Sequence, residues 1–205
     1  MVDRLRRSIE HDLPDWPGWI PFMQMLRHSK DAPYPGDSMK YATIIFETGC
    51  RKTEVIKLKP SQFKWNDEAI VVQNAPVLKK GERSTRDIMI VLDEKNPLGY
   101  ALIDYLEDCE NKEEYLLPGL KKFSREEEPW RHVSPKTVYN RITEMHPDLW
   151  PHALRGYRAS MLVYERQFSV QDLVGWFNWT SADMAVKYTR TRDMATAMGV
   201  KNVPR

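Results

Sequence analysis

Three short segments of this 205-residue chain hold side chains whose types and spacing fit one kind of reaction. In Thr48-Gly49-Cys50-Arg51-Lys52-Thr53-Glu54 an arginine follows a glycine closely and stands three residues before a carboxylate. In His152-Ala153-Leu154-Arg155 the i, i+3 spacing sets an imidazole and a guanidinium on one face of a helix. Trp179 precedes Tyr188 by nine residues in the stretch WTSADMAVKYTR. Arg51 and Arg155 are two forks able to bond phosphoryl oxygens with fixed geometry, where a lysine supplies only a point charge. A phenol has a pKa of about 10, so Tyr188 as a nucleophile needs a cationic site that favours phenolate as it attacks. His152 can accept or share that proton, or bond a phosphate oxygen. The indole N–H of Trp179 can donate to a phosphate oxygen but cannot transfer a proton. Glu54 is spaced to orient Arg51 or another basic group, with a plain surface ion pair as the alternative.

Singly, each segment also has an ordinary structural role. An arginine after a glycine is a common helix-end charge, a His-x-x-Arg pair a common solvated face, and a helical tyrosine a common core residue. What matters is which elements bring the three together. Asp37 or Ser38 can cap a helix through Met39, Ile44, Ile45 and Phe46 to Glu47, with Gly49 in the terminating place. A short helix over residues 53–58 follows. From Gln62 to Leu92 the runs FKW, AIVVQ and DIMIVL read as a three-stranded antiparallel meander, with Asn66-Asp67 and the polar stretch from Lys79 to Arg86 as its connections. Asn96-Pro97 and Ser134-Pro135 open helices to about Cys109 and Met145. Helices over residues 152–166, 169–177 and 181–190 complete the pattern, Ser169 and Asp172 standing in capping-box spacing. The expected fold class is mainly α with a small antiparallel three-stranded sheet (α+β).

Composition narrows the reading further. The chain is 41% hydrophobic and 29% charged, which describes neither a disordered polar chain nor a membrane protein, and no apolar run approaches the roughly 20 residues of a spanning helix. Thirty-one Lys and Arg against 29 Asp and Glu leave a net charge of +2, so an anionic partner must be met by a local patch. Such patches exist: Lys79 to Arg86 holds four bases and one acid, Lys187 to Arg205 five bases and one acid, and Glu107 to Glu128 eight acids and four bases. Cys50 and Cys109 form neither a disulfide framework nor a zinc spacing, and no signal peptide precedes them, so an intracellular, cytoplasmic place is expected. Five prolines and Gly36 crowd the first 36 residues, which read as a lead-in segment with one helix over residues 19–28. The domain itself is then residues 37–190, with a tail at 191–205.

TGCRKTE, a hairpin with lysines, HALRGYRAS and WTSADMAVKYTR follow one another in the order of the catalytic domain of tyrosine recombinases, the phage-integrase family. The resemblance spans about residues 38–190, and the wording around Trp179 is most similar to integrases of archaeal viruses and plasmids. It implies the recombinase catalytic-domain fold and a site-specific DNA strand-transferase that works through a 3'-phosphotyrosyl intermediate without metal, ATP or other cofactor. Arg51, His152, Arg155, Trp179 and Tyr188 are the implied catalytic residues, with Glu54 supporting. Trp179 stands where the family has His and at times Trp. Trp176, in Val174-Gly175-Trp176, resembles the family's Leu-Gly-His wording, but it lies twelve residues from Tyr188 instead of nine. In the family a hairpin lysine protonates the departing 5' oxygen. Lys79 and Lys80 both stand beside Gly81, and Lys79 is preferred by resemblance to Lys-x-Gly versions, Lys80 remaining the alternative. The implied partners are double-stranded DNA at attachment sites and further copies of the chain, a homo-tetramer on synapsed DNA and a monomer in isolation. Lys52, Lys57, Lys59 and the hairpin bases are expected phosphate contacts. The tail is expected to pack on a neighbouring subunit. A DNA-clamping domain is not evident in the first 36 residues, which makes the chain a catalytic-domain fragment or an unusually short enzyme. A catalytically inactive DNA-binding accessory protein of the same fold is the rival reading, and chromosome-dimer resolution shares the same chemistry.

Overall fold

A computed structural model describes residues 16–27, 35–79, 82–109, 114–119 and 132–197. Helices α1 (Trp19–Arg27), α2 (Pro35–Thr48) and the single turn α3 (Lys52–Val55) lead into a sheet of β1 (Phe63–Trp65), β2 (Ala69–Lys79) and β3 (Glu82–Val91). Helices α4 (Pro97–Glu107), α5 (Pro135–Thr143), α6 (Pro151–Arg166), α7 (Val170–Phe177) and α8 (Asp183–Ala197) follow. The strands pair antiparallel in the order β1-β2-β3. The expected mainly α fold with a small antiparallel sheet is therefore the observed one.

Local chemistry accounts for the helix ends. Asn96 accepts a hydrogen bond from the Gly99 amide, and Ser134 one from the Thr137 amide at 3.0 Å, each ahead of a proline at the first helical position. Ser169 and Asp172 close the expected capping box on α7. Helix α2 stops at Gly49, whose φ of +57° favours glycine. At the heart of the helical part α2 packs on α4, α5 and α6. Helix α1 also belongs to this core. Phe22 and Leu26 are fully buried, Phe22 lies 4.6 Å from Phe46 between ring centroids, and Trp16 stacks on Phe46. Each such side chain contributes about 1.5–3 kcal/mol of burial, which fastens α1 and Trp16 to the domain.

Three boundaries differ from the sequence reading. The polar stretch from Lys79 to Arg86 is not a connection: β2 runs to Lys79 and β3 starts at Glu82, paired with it. Two things disguised these strands. Pro76 reads as a breaker, yet it lies beyond the part of β2 that β1 pairs with, so its missing N–H leaves no gap in that ladder. The alternation is also unusual, since the inward positions carry Ala75, Val77 and the buried Arg86. A bulge between Val72 and Ala75, with Asn74 at φ 53°, re-aims this half of the hairpin. Helix α3 is one turn where residues 53–58 were expected as helix, and α8 continues past Arg190 to Ala197. The rest of the tail, residues 198–205, lies outside the described residues, as do most of the acidic stretch at 107–128 and residues 1–15.

Candidate active site

The left-handed turn at Gly49 swings the chain from α2 into Arg51, which is extended (φ −70°, ψ 157°) and begins α3. Three residues on, Glu54 turns back. Its Oε2 accepts the Arg51 backbone N–H at 2.8 Å and its Oε1 accepts the Arg51 Nη1–H at 2.7 Å. The same Oε1 accepts the Leu78 amide of β2 at 3.2 Å. Only 1% of the Glu54 side chain is exposed, so this is no surface ion pair. One buried carboxylate fixes the fork of Arg51 and ties it to the strand residue immediately before Lys79.

Helix α6 supplies the second fork. Arg155 is buried, its Nη1 donates to the Gly49 carbonyl, and its guanidinium lies 4.6 Å over the Phe177 ring. Its Nη2 is buried without a hydrogen-bond partner. An orphaned donor of this kind costs about 1–3 kcal/mol, more when charged, and an anion's oxygen would relieve it. One turn along, Arg158 meets Glu47 of α2 at 3.1 Å, and the Asn96 side-chain amide donates to the same carboxylate at 3.2 Å. Removing one partner of a buried pair like this typically costs about 3–5 kcal/mol because the other charge is left buried alone, so Arg158 and Glu47 must be kept or lost together where α6 meets α2. His152 begins the same helix face and keeps an exposed edge.

The nucleophile candidate arrives on α8. After α7 the chain reverses at Asn178 (φ 50°), and the Trp179 amide bonds back to the Val174 carbonyl at 3.0 Å. Trp179 stacks between Phe177 (4.7 Å, 9°) and Tyr188 (6.0 Å, 10°). Arg51, His152, Arg155, Trp179, Met184 and Tyr188 all line one concave pocket of about 220 Å³. Trp176 lies elsewhere. Its indole N–H donates to the Met89 carbonyl at 3.2 Å, and its ring stands so close to Gly49 that a Cβ there would come within 2.5 Å of it.

Electrostatics divide the labour within the pocket. Burial pushes the Tyr188 phenol up to about 12, against a smaller downward pull from Arg155. Removal from water, then the charges of Arg155 and Arg51, lower the His152 pKa, so at neutral pH the ring is uncharged and free to accept a proton. Burial and the neighbouring cations Arg86 and Arg51 also lower the Arg155 pKa, although the guanidinium stays charged at neutral pH. Burial raises the Cys50 thiol, which excludes a reactive thiolate beside the two arginines. Among the described residues no three His, Cys, Asp or Glu side chains gather as metal ligands, and no helix is long and apolar enough to cross a membrane.

Five sequence candidates, Arg51, His152, Arg155, Trp179 and Tyr188, thus meet around one pocket, with Glu54 behind them. Lys79 closes β2 opposite Glu82, while its side chain and Lys80 lie outside the described residues. Arg86, one of the hairpin bases read as phosphate contacts, is instead turned inward: it is 8% exposed, and its Nη2 donates to the Thr48 carbonyl at 3.0 Å. The signal was present in the sequence, since Arg86 shares the inward period of Ile88 and Ile90.

A mainly α domain that gathers a buried arginine, a second, partly exposed arginine and a tyrosine on its last helix around one pocket is the architecture of a tyrosine recombinase catalytic domain. The sequence model of the Phage integrase family matches residues 22–194, and the chain belongs to that family. In structure it resembles XerH site-specific recombinase bound to palindromic difH substrate in a post-cleavage complex, with a TM-score of 0.61 and 15% identity over 92% of this chain and 53% of that one. The XerA recombinase gives 0.57 and 18% over 96% and 66%, and the Tn1549 transposon integrase in complex with a circular intermediate DNA gives 0.57 and 13% over 97% and 69%. The chain therefore spans about half the length of the XerH protein, 53%. No curated protein matches it.

Proposed function

We propose that this chain cleaves and rejoins DNA strands at specific sites through a 3'-phosphotyrosyl intermediate, as the integrase of a mobile element. The observation that supports it is the meeting of Arg51, His152, Arg155 and Tyr188 in the lining of one pocket, which brings two guanidiniums, an imidazole and a phenol to the same cavity. The Tyr188 oxygen attacks the phosphorus, its proton passes to His152, and the bond from phosphorus to the 5' oxygen breaks. Arg51 and Arg155 hold the charge that grows on the non-bridging oxygens. A hairpin lysine, Lys79 or Lys80, protonates the departing 5' oxygen. The strand is rejoined when another 5' hydroxyl attacks the phosphotyrosine. One phosphate ester is exchanged for another, so no ATP is consumed, and the guanidiniums serve where other phosphoryl transferases use a cation.

The partner is double-stranded DNA at attachment sites, with four copies of the chain on synapsed DNA and a monomer in isolation. The reaction takes place with the host DNA in the cytoplasm, and the wording around Trp179 favours an archaeal virus or plasmid as the source. The test is incubation with a nicked duplex bearing the native attachment site, followed by a denaturing gel. Wild-type protein should form a denaturation-resistant adduct that chelator leaves unchanged. Tyr188→Phe should bind the duplex and form none. An adduct persisting in Tyr188→Phe would assign the nucleophile elsewhere, and binding without any wild-type adduct would favour the accessory protein.

A further inference from the structure

Two loops carry the groups of the pocket: the turn from α2 to Arg51, and the turn from α7 to Trp179 and Tyr188. Each begins where a helix ends, and a helix end leaves carbonyls without intrahelical partners and a partial negative charge. One side chain serves both ends. Arg86 of β3 donates from Nη2 to the Thr48 carbonyl at 3.0 Å and from Nη1 to the Trp176 carbonyl. Its guanidinium lies 5.2 Å from the Trp176 ring and 5.8 Å from the Phe177 ring. Arg86 does not line the pocket: its charge is felt by Arg155, but its hydrogen bonds bear on the reacting groups through these loops.

The two arginines share the work along this backbone. Arg86 takes the Thr48 carbonyl and Arg155 the next one, that of Gly49, two residues before Arg51. Trp176 and Phe177 fill the space a side chain at Gly49 would need, and the Trp176 indole returns a bond to Met89, three residues beyond Arg86 on β3. The result is a closed circuit from β3 through α7 and the Gly49 turn back to β3. We propose that Arg86 is a positioning residue that sets Arg51, Arg155 and the Trp179–Tyr188 stack against one another by bonding the last carbonyls of α2 and α7 with one guanidinium. Its planar fork fixes two acceptors at a defined separation, which a lysine ammonium cannot do. This role rests on the strand-transfer reading above.

The decisive experiment measures Arg86→Lys on the full chain for duplex affinity and for the rate of adduct formation at saturating protein. The substrates carry either oxygen or sulfur at the 5' bridging position. We expect affinity within about twofold of wild type and a saturating rate reduced about a hundredfold, the cost of displacing reacting groups by roughly 1 Å. The reduction should be equal with both substrates, because the circuit governs attack and not departure. Partial loss of folded protein would lower the amount of adduct but not the rate of the molecules that form it. Trp176→Phe opens the same circuit from the other side, and it should lower the saturating rate about tenfold with affinity kept; it decides the matter where Arg86→Lys does not fold. An unchanged rate, a loss confined to affinity, or recovery on the sulfur substrate would overturn the assignment. Wild-type protein that forms no adduct would overturn the strand-transfer reading, and this role with it.

Discussion

Replacing Arg155 by lysine keeps the charge and removes the fork. In the native site one arm of Arg155 holds the Gly49 carbonyl while the other is buried without a partner. A lysine ammonium at this place can serve the carbonyl or a phosphate, not both. The loss is at least one charge-assisted hydrogen bond in the transition state, about 1.5–3 kcal/mol, or roughly 10- to 150-fold in rate. The Gly49 turn, freed from its arginine, also loosens Arg51, and losing an oxyanion donor commonly costs about 10²–10³. Taken together, Arg155→Lys should slow adduct formation at saturating protein about a hundred- to a thousandfold. Affinity should change far less, because many surface phosphate contacts share the binding. The assay is single-turnover adduct formation on the nicked duplex, beside a gel-shift titration of the intact duplex at fixed salt. Equal losses in affinity and rate would mean that Arg155 only holds DNA, and the pocket would then lose its claim to chemistry.

The lowered pKa of His152 predicts a pH dependence: the ring is a neutral acceptor at pH 7, and the rate should fall only as pH drops below the ordinary imidazole value of about 6.5. His152→Gln should flatten that acid limb, and a limb that persists would assign it to another group. Sulfur at the 5' bridging position should restore cleavage to Lys79→Ala, since a thiolate leaves without protonation, and leave a modest Lys80→Ala defect unchanged. Rescue of Lys80→Ala instead would exchange the two lysines' roles.

The helical part of the fold was legible because its signals are local. Asn96-Pro97, Ser134-Pro135 and the Ser169–Asp172 box each mark a helix start by a hydrogen bond within three residues, and each start falls where it was read. The hairpin was harder, for its long arms are stabilised by pairing between strands and not by apolar alternation. Arg86, pointing inward among Val77, Ile88 and Ile90, made a buried strand look like a polar connection. In the site, residue spacing favours Trp179 over Trp176, and of the two Trp179 is the one that lines the pocket. What spacing could not convey is the role of each surrounding group: that Glu54 is buried and joins Arg51 to β2, or that a carbonyl of the Gly49 turn occupies one arm of Arg155. Those facts depend on contacts between elements far apart in the chain.

The two displaced pKa values bear on when Tyr188, the proposed nucleophile, becomes active. Tyr188 lies near 12 and His152 below its ordinary 6.5, so donor and acceptor are roughly five or more pK units apart. A phenolate formed in advance by transfer to His152 would therefore be rare, and the resting tyrosine is a weak nucleophile. The proton must leave as the bond to phosphorus forms, when the phenol oxygen becomes an ester oxygen and its affinity for the proton collapses. That coupling demands a phosphate already held by the two guanidiniums, and it demands that Tyr188 be held in line with it. The stack of Phe177, Trp179 and Tyr188 restrains the Tyr188 ring, with Arg155 lying against the Phe177 ring. The same burial that raises the phenol's pKa keeps the side chain in one orientation and limits its contact with water. Under the proposed strand transfer, reactivity is thus tied to occupancy of the pocket by a phosphodiester, which suits an enzyme whose covalent intermediate would be a break in a DNA strand.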